Sequence, residues 1–149
     1  MKIEEVLQSD FKSNQVKAVV NLRYTSNFLS SVQNKYMSEF DLSMAQFNIL
    51  RILRGAKSPL TVNTVKARMI EKSPNTTRLL DKLLQKELIV KIQCEEDKRQ
   101  TFVEITKTGL QILSQIDQKS DLFSPLSSGL NDQEAQILSD LLDKLRSNF

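Results

Sequence analysis

The chain has 149 residues, a net charge of +3, no histidine, one cysteine and three glycines. That is the size of one domain with its own core, which needs neither a metal nor a disulfide to fold. A lone cysteine forms no internal disulfide and no Cys/His set has zinc-ligand spacing. Without histidine, most catalytic triads and metalloenzyme sites are excluded, so neither an enzyme nor a bound cofactor is expected. The opening MKIEEVLQSDFKS has neither the basic start nor the apolar core of a signal peptide. No apolar run approaches the ~20 residues that span a bilayer, so a cytoplasmic protein without a membrane partner is expected. Positive charge is concentrated early: residues 1–60 and 61–99 each carry +3 and residues 100–149 carry −3, which permits an anionic partner without requiring one.

From about Phe11 to Tyr36, Val16, Val20, Tyr24, Phe28, Val32 and Tyr36 recur every four residues. This is the stripe of a long amphipathic helix, read equally well as a core element or a subunit contact. Ser43 and Gln46 form a capping box, followed by a helix whose stripe is Met44, Phe47, Leu50 and Leu53, with Gly55 as its left-handed stop. Thr61 caps a short helix ending near Arg68 to Ile70, with Val62, Val65 and Met69 on one side. Ser73-Pro74 marks the next start, with serine at the cap and proline at the first helical position.

The helix 74–86 gathers Leu79, Leu80, Leu83 and Leu84 on one side and shows Asn75, Arg78, Lys82 and Gln85 on the other. Two helices joined by a short link, the second polar at its start, make a helix-turn-helix. Alternation then gives a hairpin, with Val90, Ile92 and Cys94 on one side of the first strand and Thr101, Val103 and Ile105 in the second. Its tip carries Lys98 and Arg99, yet Glu95, Glu96 and Asp97 outnumber them. Thr106 to Gly109 opens another helix through Leu110, Leu113 and Ile116. Asn131 and Glu134 repeat the capping box ahead of Leu138, Leu142, Leu145 and Phe149 at packing-helix spacing.

The segments LSMAQFNILRILRG, SPNTTRLLDKLLQKELIV and DKRQTFVEITKTG resemble the MarR family of bacterial transcriptional regulators. The last is the most specific: the family's wing has Asp-x-Arg, then a strand, then an aliphatic-Thr-x-x-Gly helix start, matched by Asp97, Arg99, Ile105-Thr106 and Gly109. The resemblance covers roughly 35–125. It implies a mainly α fold with a small β-wing, in which about 41–106 form a winged helix-turn-helix lobe. About 1–40 and 107–149 would form a helical region that intertwines two copies into a homodimer. It also implies double-stranded DNA as partner and a small lipophilic or aromatic effector, for which no lining residue is assigned. Two departures stand out. The usual glycine after the second helix is Glu87, and the turn Ile70-Glu71-Lys72 lacks glycine.

In that reading the helix 74–86 enters the major groove. Arg78 grips a guanine edge, Asn75 and Thr77 reach other bases, and Ser73 with the first-turn N–H groups holds a phosphate. Lys72, Lys82 and Lys86 serve as backbone contacts. The wing, 95–100, enters the minor groove. There the resemblance has Asp97 hold and aim the Arg99 guanidinium beside Lys98. Against each stands a plainer alternative: an ordinary solvated helix face, and a turn-forming Asp97 with a loose Arg99. Cys94, in line with Val90 and Ile92, is read as a buried apolar residue rather than a redox sensor. The competing function is a winged-helix docking module that binds protein instead of DNA.

Overall fold

The computed structural model describes residues 1–70, 75–93, 101–119 and 129–147. Within them a short helix α1 (Ile3–Leu7) precedes the long α2 (Asn14–Ser38) and α3 (Met44–Ala56). Strand β1 (Leu60–Thr61) runs into α4 (Val62–Arg68), and α5 (Thr76–Gln85) follows. The hairpin β2 (Ile89–Gln93) and β3 (Thr101–Ile105) leads to α6 (Lys107–Lys119), with α7 (Asp132–Arg146) last. The fold is therefore mainly α with a small antiparallel sheet, in the order β1-β3-β2.

The capping chemistry read from the sequence recurs in the structure. The hydroxyl oxygen of Ser43 accepts from the Gln46 N–H at 3.2 Å, and the Gln46 carbonyl oxygen accepts from the Ser43 N–H at 2.9 Å. That reciprocity gives the side-chain oxygen of the buried Gln46 a partner. Asn34 of α2 accepts from the next donor, the Met44 N–H, at 3.0 Å, so α2 helps start α3. Thr61 caps α4 and Asn131 caps α7, the latter in a full capping box. One stop differs from expectation. Gly55 lies inside α3, and the left-handed residue that ends the helix is Lys57, with φ 55°.

The core gathers around α3: Phe47, Ile49, Leu50 and Leu53 pack with Met37 of α2, Val65 of α4, Leu80 and Leu83 of α5, Val103 of β3, and Leu113 and Ile116 of α6. Each such side chain contributes about 1.5–3 kcal/mol of apolar burial. In the sheet, Ile89 pairs with Ile105 and Lys91 with Val103 on the inward face, while Val90 pairs with Glu104 and Ile92 with Phe102 on the other. Ile89 is 1% exposed against 42% for Val90 and 40% for Ile92. The face expected to bury Cys94 alongside Val90 and Ile92 is thus the outer one; Cys94 itself lies outside the described residues. Strand β1 was not anticipated. Two residues are too short to show alternation, and only its pairing of Leu60 with Val103 makes it a strand.

The long helix buries little of its stripe within one chain. Met37 is the only residue of α2 that is buried, whereas Val16, Val19, Leu22, Tyr24, Phe28 and Val32 are exposed. In α7 nothing is buried, and Ile137, Leu138, Leu141 and Leu145 face solvent. Two helices with correct amphipathic spacing thus leave their apolar sides uncovered within one chain.

Candidate nucleic-acid interface

Helix α5 is fixed to the body along one narrow stripe. At about 100° per residue, Thr76, Leu80 and Leu83 fall on one line, and all three are buried. Thr76 places its hydroxyl 3.7 Å from the Met69 sulfur, tying the start of α5 to the end of α4. Leu79 and Leu84 sit on the margins, half-buried and exposed respectively, so Leu84 is not the core residue the sequence suggested. Asn48 of α3 pins the linking turn by accepting from the Ile70 N–H at 3.1 Å.

The opposite side carries the predicted readers. Asn75 occupies the N-cap position, and Asn75, Thr77, Arg78 and Lys82 are all exposed. The described helix begins at Thr76; Lys72 and the expected start at Ser73 and Pro74 lie outside the described residues, as do Asp97, Lys98 and Arg99 of the wing tip. Among the described residues, Arg78 and Lys82 enter no ion pair. Two neighbours do. Asp81 accepts from Lys91 of β2 at 2.7 Å, which cancels the one acidic charge on this helix and straps it to the wing. Lys86 donates to the Asp41 carboxylate at 2.7 Å and also to the Asp41 backbone carbonyl. Lys86, expected to touch the DNA backbone, is therefore engaged with the corner between α2 and α3. The Lys86 ammonium beside it holds the Asp41 carboxyl below its ordinary value.

The helix ends and the wing begins in one knot of backbone bonds. The N–H of Leu88 donates to the Leu83 carbonyl at 3.0 Å and the N–H of Glu87 to the Leu84 carbonyl at 2.9 Å. This is a Schellman cap with Glu87 in the left-handed position, φ 56°, which answers how the helix stops without glycine. On the far side of the hairpin, Thr106 donates its hydroxyl to the Glu87 carbonyl at 2.7 Å and accepts from the Gly109 N–H at 3.0 Å. Its own N–H reaches the Leu88 carbonyl at 3.1 Å. Gly109 has to be small: a Cβ there would collide with the Leu88 carbonyl oxygen and lie 2.7 Å from Ile105 Cγ1. The Thr106-x-x-Gly109 spacing thus caps α6 and fastens the base of the wing to the end of α5. The pairing roles of Asp41, Asn48, Asp81 and Lys91 are not legible in the sequence, because long-range ionic and capping partners leave no local periodicity.

Among the described residues, no group of His, Cys, Asp or Glu could hold a metal ion, and no helix is long and apolar enough to cross a membrane.

The MarR family model matches residues 42–101, which run from the Ser43 cap into β3. The multiple antibiotic resistance protein MarR of Salmonella typhimurium is 32% identical over 114 residues, covering 75% of this chain and 78% of that protein. The HTH-type transcriptional regulator MhqR of Bacillus subtilis is 26% identical over 139 residues, covering 92% and 93%. Among solved structures, a mutant MarR from E. coli complexed with operator DNA superposes with a TM-score of 0.80 at 27% identity, covering 92% of this chain and 99% of that one. With more than two thirds of a 32%-identical relative matched, and the helix–hairpin unit recognised by the family model, this chain belongs to the MarR family.

Proposed function

We propose that two copies of this chain form a sequence-specific regulator of transcription that binds double-stranded DNA through α5 in the major groove and the wing in the minor groove. In this reading residues 41–106 are the DNA-binding lobe, and residues 1–40 and 107–149 supply the dimer frame. One observation carries it: α5 buries Thr76, Leu80 and Leu83, is fastened at both ends, and turns Thr77, Arg78 and Lys82 outward together. A rigid helix offering a guanidinium fork, a hydroxyl and an ammonium suits base edges and phosphates. Asn75 extends the same face at its start, and the family resemblance assigns Ser73 to the phosphate beside it. On the wing, Arg99 aimed by Asp97, with Lys98 beside it, is the minor-groove element. The bound operator of the E. coli MarR structure supports this assignment by likeness of fold and sequence.

The finer reading is a repressor that occupies a palindromic operator and yields it to a small lipophilic or aromatic effector. Two-fold symmetry of a dimer is what makes the operator a palindrome. The test is a mobility shift on the DNA upstream of the protein's own gene, titrated with salt. A specific complex whose affinity falls linearly with log salt is expected, on half-sites about 10 bp apart, and a small aromatic compound should release it. Absent or salt-independent binding would mean that the chain is a docking module for another protein.

A further inference from the structure

Lys86 is the one basic residue at the end of the reading helix that the structure turns away from an open role. It lies eleven residues after Asn75, about 16 Å along the helix axis at 1.5 Å per residue, at the end opposite the one presented to bases. Its target is not a mobile side chain alone. Asp41 stands in the left-handed region, φ 53°, in a turn closed by the Leu42 N–H on the Met37 carbonyl at 3.2 Å and the Asp41 N–H on the Ser38 carbonyl at 3.1 Å. That turn ends α2. Lys86 itself leads directly into the Schellman cap that closes on Glu87 and Leu88. The contact therefore joins two fixed backbone corners, one on the long helix and one on the reading helix. Between these elements lies an open cleft of about 420 Å³ lined by Ser43, Gln46, Lys82 and Gln85, with Asp41 and Lys86 also on its wall.

We propose that the Asp41–Lys86 contact is a positioning latch that sets the angle of the reading helix against α2, and so the half-site spacing that a dimer accepts. It rests on the DNA-binding reading above. In a two-fold dimer each reading helix is placed by its own α2 frame, so a small rotation at this corner is doubled in the distance between the two helices. Lys86 would then act on DNA through geometry, unlike Arg78 and Lys82, which would act by contact.

The experiment uses the full chain and a duplex that the wild type selects from a random-sequence pool, remade with the half-sites one base pair closer and one or two farther apart. Lys86→Met loses both hydrogen bonds, and Asp41→Asn removes only the carboxylate charge. Both should lower affinity at the preferred spacing, by about two- to fivefold as for an exposed ion pair, and flatten the preference among spacings. The joint variant should be no worse than Lys86→Met alone, and the salt slope should not change. Lys86→Arg, which keeps a cationic donor for both Asp41 oxygens, should retain the preference. A salt slope lowered by ~0.9 in Lys86→Met, with Asp41→Asn binding like wild type, would overturn the latch and make Lys86 a phosphate contact. Variants that bind and keep the wild-type spacing profile would overturn it too. If the wild type selects no duplex, the DNA-binding reading itself falls.

Discussion

Glu87 holds a conformation that costs an ordinary L-residue about 1–2 kcal/mol, because its Cβ crowds the following carbonyl. It stands there because the Leu88 and Glu87 N–H groups close the end of α5 only if one residue turns left-handed. Nothing in the side chain needs to be glutamate for this, so Glu87→Gly should stabilise the protein by about 1 kcal/mol. Urea unfolding should show a raised midpoint with an unchanged slope. Gly109 is the mirror case. There the backbone is helical, but the space is occupied by the Leu88 carbonyl and Ile105, and Gly109→Ala should cost about 1–3 kcal/mol by overpacking despite alanine's better helix propensity. At the site, Arg78→Ala should lose about 1–3 kcal/mol of operator binding and relax preference at one base pair. Lys82→Ala should weaken all sequences alike and lower the salt slope by about 1. Competition binding against single-base operator variants separates the two; equal loss on every sequence for Arg78→Ala would remove it from base reading.

At the scale of elements, α5 shows what a pattern of leucines conceals. Four leucines within six residues look like one apolar side, but the buried line runs through Thr76, Leu80 and Leu83, with Leu79 and Leu84 about 70° to either side at 100° per residue. Leu80→Ala should therefore cost about 2–5 kcal/mol, while Leu84→Ala should stay within about 0.5 kcal/mol. Comparable losses for both in thermal unfolding would mean that the helix is rotated from the orientation described. The existence of this helix, its neighbours α3 and α4, and the hairpin was legible because caps and periodicity are local. The inward face of β2 was not, since Ile89 on one face and Val90 and Ile92 on the other are all apolar. Only the pairing of β3 between β1 and β2 decides it. The caps after α3 and α5 were equally hidden, because Lys57 and Glu87 carry no sign of a left-handed backbone. Asp41 adds a pH dependence at this scale. Its folded-state carboxyl value lies below the ordinary 3.8, so the contribution of the Lys86 contact is present above that value and lost as pH falls through the lowered one. The stability gap between wild type and Asp41→Asn should narrow from about pH 7 to about pH 3, as read from urea midpoints; a gap that widened in acid would reverse the sign of this coupling.

For the whole molecule, the exposed sides of α2 and α7 pose the energetic question. Phe28 is 54% and Leu141 58% exposed in a single chain, and they belong to rows of apolar residues at helical spacing, not to scattered positions. Contiguous patches of this kind mark interaction surfaces, and a second copy offers the same rows in return, as two-fold interfaces require. A stable interface buries about 1,200–2,000 Å² in total, a demand that a 25-residue α2 and a 15-residue α7 can meet together. Light scattering should give twice the chain mass at micromolar concentration. Leu141→Glu, harmless to an isolated helix surface, should halve that mass and leave the helical content of the monomer largely intact. Because each protomer would bring its own Arg78, Lys82 and wing, the monomeric variant should also lose about half the salt slope on a two-site operator. A wild-type chain that scatters as a monomer, with Leu141→Glu binding DNA at the same slope, would leave each lobe reading its half-site alone and would remove the reason for a palindrome.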